Sequence, residues 1–422
     1  MTRKNTVWKS KVKSPEAPKN LQIPENLQIP ETPENLNRLK HSKPFLLKPA
    51  GKDYLWGGSR LNDDFSKGID MAPLAETWEC STHPDGPSRV GSGEHEGRLL
   101  SEVLEEHPEY LGVHGKAQAG DGAASGVGGA CAVQPEKESL CLEEESPFPQ
   151  ENGLRRKEGG SCQEQKRYCS EKPGELPILI KFIDAKQDLS VQVHPDDNYA
   201  FEKEHGQRGK TEMWYVLDAA KDGKLVYGLC RDVEPEELRR SLEQGTVEKY
   251  LQKVPIHKDD IFFIYPGTVH ALGAGTLIAE IQESSNLTYR MYDYNRVDKN
   301  GKKRDLHMDK AMDVVNTRRS AEPRQPMRVL KYRPGWASEF LCRCKYFQVE
   351  RMLLNTERCR SLADFQADGH SYQVLLCISG CGMLLAEDGE NLQFFRGDCI
   401  FVPADSVPIK IHGSAQLLKV TG

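Results

Sequence analysis

The chain has 422 residues, 57 Lys and Arg against 63 Asp and Glu, a net charge of −6, and 12 cysteines. That length predicts two or three domains with a real core, and the mild acidity excludes the basic surface that nucleic acid or an anionic membrane requires. A hydrophobic content of 37% is low for a compact enzyme and points to polar segments diluting an ordinary core.

The N-terminus, MTRKNTVWKSKVK, is basic with no apolar run behind it, so it does not read as an export signal. NLQIPE stands at 20–25 and again at 26–31 among frequent prolines, and residues 1–43 read as a disordered tail. Ordered sequence begins at residue 44: FLLKPAGKDYLWGG and AETWECS have strand character, and LLSEVLEEHPEYLG predicts a helix. Residues 117–175 turn Gly- and Ala-rich and then highly charged, which predicts a disordered surface insertion with no catalytic part. From Leu176 short strands dominate, interrupted by one helical segment, PEELRRSLEQGTVEKYLQK. After a basic stretch near 318–328, strands resume as YFQVERMLL, YQVLLCISG, MLLAED, CIFVPAD and VPIKIHG. The expected fold is mainly β, built as sandwiches or barrels with a few short helices.

The cysteines show no CxxC and no compact framework, which predicts reduced thiols and a cytoplasmic location. The apolar stretch Ile261 to Ala279 has the length of a membrane span. It contains Pro266, His270 and three glycines, so it reads as strand, turn, strand.

The chemistry-bearing residues fall on three neighbouring segments. In Leu189 to His194 the alternation of a strand puts Ser190, Gln192 and His194 on one face, opposite Leu189, Val191 and Val193. Lys210, Glu212 and Trp214 share a face of the next strand. Asp260 to His270 then supplies a strand, a Pro-Gly turn and a second histidine. Two His, a Glu and a Gln on neighbouring strands suit a first-row divalent metal.

These segments, DLSVQVHPDD, KTEMWYVL, YPGTVHALG and EIQESSNLTYRMYDYNR, resemble type I mannose-6-phosphate isomerase, the zinc-dependent phosphomannose isomerase, in its short bacterial form. YLWGG and AETWECSTHPDGPS fit the same family. The resemblance implies two cupin-type double-stranded β-helix (jelly-roll) units. Residues 44–116 with 176–323 would form the catalytic metal-binding unit, and 324–422 a degenerate second one. In the second unit, GDCIFVP is followed by Val407 where the first has His270.

It further implies one zinc ion per chain held by Gln192, His194, Glu212 and His270, with Arg290 at the active site. Lys181, Ser190 and Arg296 would contact the substrate phosphate. The activity implied is interconversion of mannose 6-phosphate and fructose 6-phosphate, on a small sugar phosphate without nucleic acid or membrane, by a monomer or weak dimer. Moving a proton between C1 and C2 needs a base, for which Glu280 is the candidate, and a cation such as Lys210 to polarise an oxygen. One position departs from the family pattern: Asn286 stands where an Asp is common. The alternatives are another metal-dependent cupin enzyme, such as an Fe(II) oxygenase, and a non-catalytic sugar-phosphate-binding cupin.

Overall fold

A computed structural model describes residues 42–113, 172–297, 301–323 and 325–422; the tail read at 1–43 and the insertion read at 117–175 lie, but for their last residues, outside the described residues. Three antiparallel sheets carry the chain. One has six strands, in the order Ile261–Ile264, Glu212–Ala219, Thr276–Glu283, Ile178–Ala185, Glu76–Cys80 and Ala50–Lys52. A second has five, in the order Tyr289–Tyr292, Val191–Val193, His270–Leu272, Lys224–Leu229 and Leu251–Pro255. The third has ten strands, most of them from residues 331–421.

Strand alternation decides what each sheet buries. On Ile178–Ala185, Ile178, Ile180 and Phe182 join one core, while Ile183 and Ala185 join another. Thr276–Glu283 and Glu212–Ala219 divide in the same way: Leu277, Ala279, Ile281, Met213, Tyr215 and Leu217 on one side, Ile278, Trp214 and Val216 on the other. The first side packs against the ten-stranded sheet through Leu341, Phe347, Val374, Leu376 and Leu418. The second faces the five-stranded sheet through Leu225, Val254 and Leu272. Each large apolar side chain buried this way contributes about 1.5–3 kcal/mol. The outer face of the five-stranded sheet, with Val191, Val193, Tyr289 and Met291, is covered by Leu238, Leu242 and Ala311 of two helices, Pro235–Glu243 and Met308–Val314.

Four local expectations are refined. Leu189 precedes its strand and packs in the core of Trp214, whereas Val191 and Val193 pack under the helices. The helix from Pro235 ends at Glu243, because Gly245 takes a positive φ of 69°, and residues read as its continuation form the strand Leu251–Pro255. The Pro195–Asp197 turn opens a helix, Asp197–Lys203, capped by the Asp196 side chain accepting from the Tyr199 amide. A further helix, Met308–Val314, lies outside the sequence reading; Met308, Ala311 and Met312 form its packed face, and its seven residues are short for a periodic signal. Two N-terminal strands, Phe45–Lys48 and Arg89–Val90, extend the ten-stranded sheet by pairing with Cys399–Val402 and with each other, so the N-terminal segment serves both halves of the described chain. Among the described residues no helix is long and apolar enough to cross a membrane.

Candidate active site

The interior between the six- and five-stranded sheets is where polar residues interrupt the apolar alternation. Gln192 stands opposite His270 on one neighbouring strand and opposite Arg290 on the other. Across the interior, Glu212 lies beside Gln282, and Glu280 lies between Trp214 and Lys181.

His194, Glu212 and His270 are fully buried, and one ligand atom from each lies within 4.8 Å of the others. His270 Nε2 is 3.1 Å from His194 Nε2, 3.2 Å from Gln192 Nε2 and 3.6 Å from a Glu212 oxygen; His194 Nε2 is 3.3 Å from Glu212 Oε1. The Thr268 carbonyl, 2.8 Å from His270 Nδ1, accepts that proton and leaves the Nε2 lone pair facing inward. Burial lowers both imidazole pKa values, His194 to about 3, so both are neutral. Burial alone would raise Glu212, but the Lys210 ammonium beside it holds it well below the usual carboxylate range.

Two neutral imidazoles and an ionised carboxylate thus converge on one point. His194 Nδ1 and both Glu212 oxygens are buried without a well-formed hydrogen bond. Orphaned buried acceptors are rare, and a cation between the Glu212 oxygens and the two facing Nε2 atoms satisfies those acceptors, while His194 Nδ1 lies on the far side of its ring. The donor set fits a metal.

Around this centre the other expected residues separate into two groups. Lys210 sits beside the His and Glu cluster, its Nζ 2.8 Å from Glu212. Glu280 is 4% exposed and accepts from Lys181 Nζ at 2.9 Å and from Trp214 Nε1 at 2.8 Å. Burial and the Glu212 charge push its carboxyl up, against the pull of Lys181. Lys181, expected at the substrate phosphate, is instead enclosed: it donates to Glu280 and to Gln282 Oε1 (2.6 Å) and lies 5.1 Å over the Trp78 ring. A buried ammonium stays charged only where carboxylate and amide oxygens replace its water, and Glu280 raises it further.

The second group lies at strand Tyr289–Tyr292. Arg290 Nε donates to Ser190 Oγ at 3.3 Å and a terminal nitrogen donates to the Asp305 carbonyl at 2.9 Å. Arg290 is half-buried, and burial followed by Arg304 lowers its pKa. Arg296 pairs with Asp293. Asn286 donates to Asp85 Oδ2 at 2.7 Å. Sequence reasoning passed over Gln282, although it shares the face of Glu280 two residues on, and over Thr268, two residues before His270. Asp293 and Arg304 were also passed over, and only the fold brings them together.

Known proteins are similar to this chain. Residues 337–421 match the family profile described as mannose-6-phosphate isomerase, cupin domain; residues 150–227 match phosphomannose isomerase type I, catalytic domain, beginning within the stretch read as an insertion. The chain is 30% identical over 381 residues to mannose-6-phosphate isomerase ManA of Bacillus subtilis, covering 89% of this chain and 98% of that one. It is 32% identical over 274 residues to mannose-6-phosphate isomerase of Streptococcus mutans, covering 65% and 68%. A solved structure of mannose 6-phosphate isomerase from Bacillus subtilis superposes with a TM-score of 0.70 at 28% identity, over 90% of this chain and 99% of that one.

Proposed function

Because the chain belongs to the type I mannose-6-phosphate isomerase family, we propose that Gln192, His194, Glu212 and His270 hold a zinc ion serving its interconversion of mannose 6-phosphate and fructose 6-phosphate. The observation that carries the metal reading is the convergence of His194, Glu212 and His270 on one buried point, where two imidazole Nε2 atoms face each other at 3.1 Å and neither Glu212 oxygen has a well-formed hydrogen bond. Zinc is the choice because neutral imidazole and carboxylate donors suit it, and His270 is already oriented by Thr268. A bound divalent ion supplies stabilisation of the negative charge that develops on the sugar oxygens.

The chain's own groups do the rest. Glu280 carries the proton between C2 and C1: both its oxygens accept hydrogen bonds as an ionised carboxylate does, while its burial favours taking a proton. Lys181 fixes Glu280 in place rather than meeting substrate. Lys210 polarises a sugar oxygen, Arg290 stabilises the enediolate, and Ser190 and Arg296 hold the phosphate. The surrounding sheets exclude water, which strengthens each of these charges.

Residues 44–116 with 176–323 form the catalytic cupin unit on this reading, and 324–422 a degenerate one. The cytoplasm is its location, in keeping with the eight free cysteines among the described residues. The test is coupled isomerisation of mannose 6-phosphate with and without a chelator. Turnover that chelation abolishes and zinc restores is expected; full turnover by demonstrably metal-free protein overturns the zinc reading.

A further inference from the structure

Arg290 is fastened by neutral groups at Ser190 and Asp305, and among the described residues it has no ion-pair partner. The same two anchoring segments hold two more arginines. Arg296 donates to the carbonyl of Asp188, two residues before Ser190, and Arg304 immediately precedes Asp305. Arg296 and Arg304 then meet on one carboxylate. Arg304 reaches Asp293 Oδ2 at 2.8 Å and Oδ1 at 2.5 Å, and Arg296 reaches Oδ1 at 2.5 Å and 3.2 Å.

Arg296 and Arg304 share the Asp293 carboxylate and Arg290 has none, so three guanidiniums stand beside one ion-paired carboxylate, an excess of two positive charges (3 − 1 = 2). Asp293 is 5% exposed, whereas the Arg296 and Arg304 side chains keep 23% and 28% of their surface. Asp188 spends one oxygen on the Ala274 amide and Asp305 is exposed; neither forms an ion pair with these arginines. Lys303, bonded to Asn295, adds a further cation, and Arg296, Lys303 and Arg304 line a cavity of about 230 Å³ together with Asp293 and Glu243, while Arg290 stands outside it. The cluster begins one strand from the metal donors, where Arg290 stands opposite Gln192. Partly buried cations in excess call for an anion, and guanidiniums favour one with several oxygens in a plane or a tetrahedron.

We propose that Arg304 is a further binding residue for the substrate's phosphate, acting with Arg296 at a dianion site whose spacing Asp293 sets. Arg304 thereby becomes a determinant of selectivity for phosphorylated over free sugar. The identity of the substrate rests on the isomerase reading of this same site; the binding of a phosphate dianion does not.

The experiment compares the full-length chain with Arg304→Gln and Arg304→Lys, measuring inorganic phosphate binding by calorimetry, zinc content, and kinetics on mannose 6-phosphate and free mannose. Arg304→Gln is expected to weaken inorganic phosphate and raise KM for mannose 6-phosphate by about 10- to 100-fold, the loss of one charge-assisted contact. Its preference for mannose 6-phosphate over mannose should fall with them, kcat and zinc should change far less, and Arg304→Lys should recover part of the affinity. Unchanged phosphate affinity and KM in Arg304→Gln overturns the assignment. Loss of kcat at constant KM, or failure of both variants to fold, also overturns it and makes Arg304 a structural partner of Asp293. A wild-type chain that binds phosphate through Arg304 but does not turn over mannose 6-phosphate overturns the isomerase reading and leaves the anion site standing.

Discussion

Gln192 and His270 face each other directly across adjacent antiparallel strands, their Nε2 atoms 3.2 Å apart. That register is what assembles the centre. A slip of one residue would turn Gln192 onto the face occupied by Val191 and Val193, under the helices, and would move those valines into the interior. The same strand places Arg290 on the other side of Gln192, so one three-residue strand ties the buried His and Glu cluster to Arg290.

Metal analysis should find about one zinc per chain. Replacing His270 by Ala removes one of two inward-facing imidazoles and should abolish both metal and activity. Chelation should also lower the melting temperature, because an ion that binds only the folded chain stabilises it. Differential scanning calorimetry with and without chelator measures the shift, and no shift together with unchanged metal content would argue against the site.

Arg290→Ala should lower kcat by about 10²–10³, the usual loss for one donor to developing charge. Fold and zinc should be retained, since Arg290 contacts Ser190 and the Asp305 carbonyl rather than a carboxylate. Arg290→Lys should recover only part of the rate, because an ammonium cannot reach both partners. A raised KM at constant kcat would make Arg290 a phosphate anchor alone.

Lys181→Met strands Glu280 in an interior that has no other cation hydrogen-bonded to it, and should destabilise the chain by about 3–5 kcal/mol in denaturant unfolding. Adding Glu280→Leu removes the unpaired charge and should restore most of that stability. Activity should not return if Glu280 is the proton carrier proposed above. A double variant no more stable than the single one would show that the pair does not act as a unit.

Glu283 supplies a pH dependence. It accepts from the Thr211 amide at 2.7 Å, and burial together with the nearby Asp197 pushes its carboxyl from 4.5 up to about 8. Below pH about 4.5 the group is protonated in folded and unfolded chains alike. Between there and about 8 only the folded chain keeps the proton, so this group's contribution to stability falls as pH rises and levels off above about 8. Glu283→Gln, which mimics the protonated form, should be more stable than the parent at pH 8–9 and indistinguishable near pH 4.5. Equal pH slopes for the two proteins in thermal unfolding would remove Glu283 as the cause.

The strand-rich character, the polar row at Ser190, Gln192 and His194, and the Lys210–Glu212–Trp214 face were legible in the sequence, because alternation is a local property of an extended chain. The histidine after the Pro-Gly turn was legible for the same reason. Tertiary structure decided everything that depends on which strands become neighbours. It alone enclosed Lys181 with Glu280 and Gln282, since a lysine on an inward face shows nothing of the partner that satisfies its charge. It alone set Arg296 and Arg304 on Asp293, residues that a chain-order reading leaves on separate turns. It also ended the helix at Glu243 and sent residues 251–255 into a sheet, where pairing with Lys224–Leu229 outweighed a helical pattern. A sequence fixes the face on which each side chain emerges; only packing fixes what that face meets.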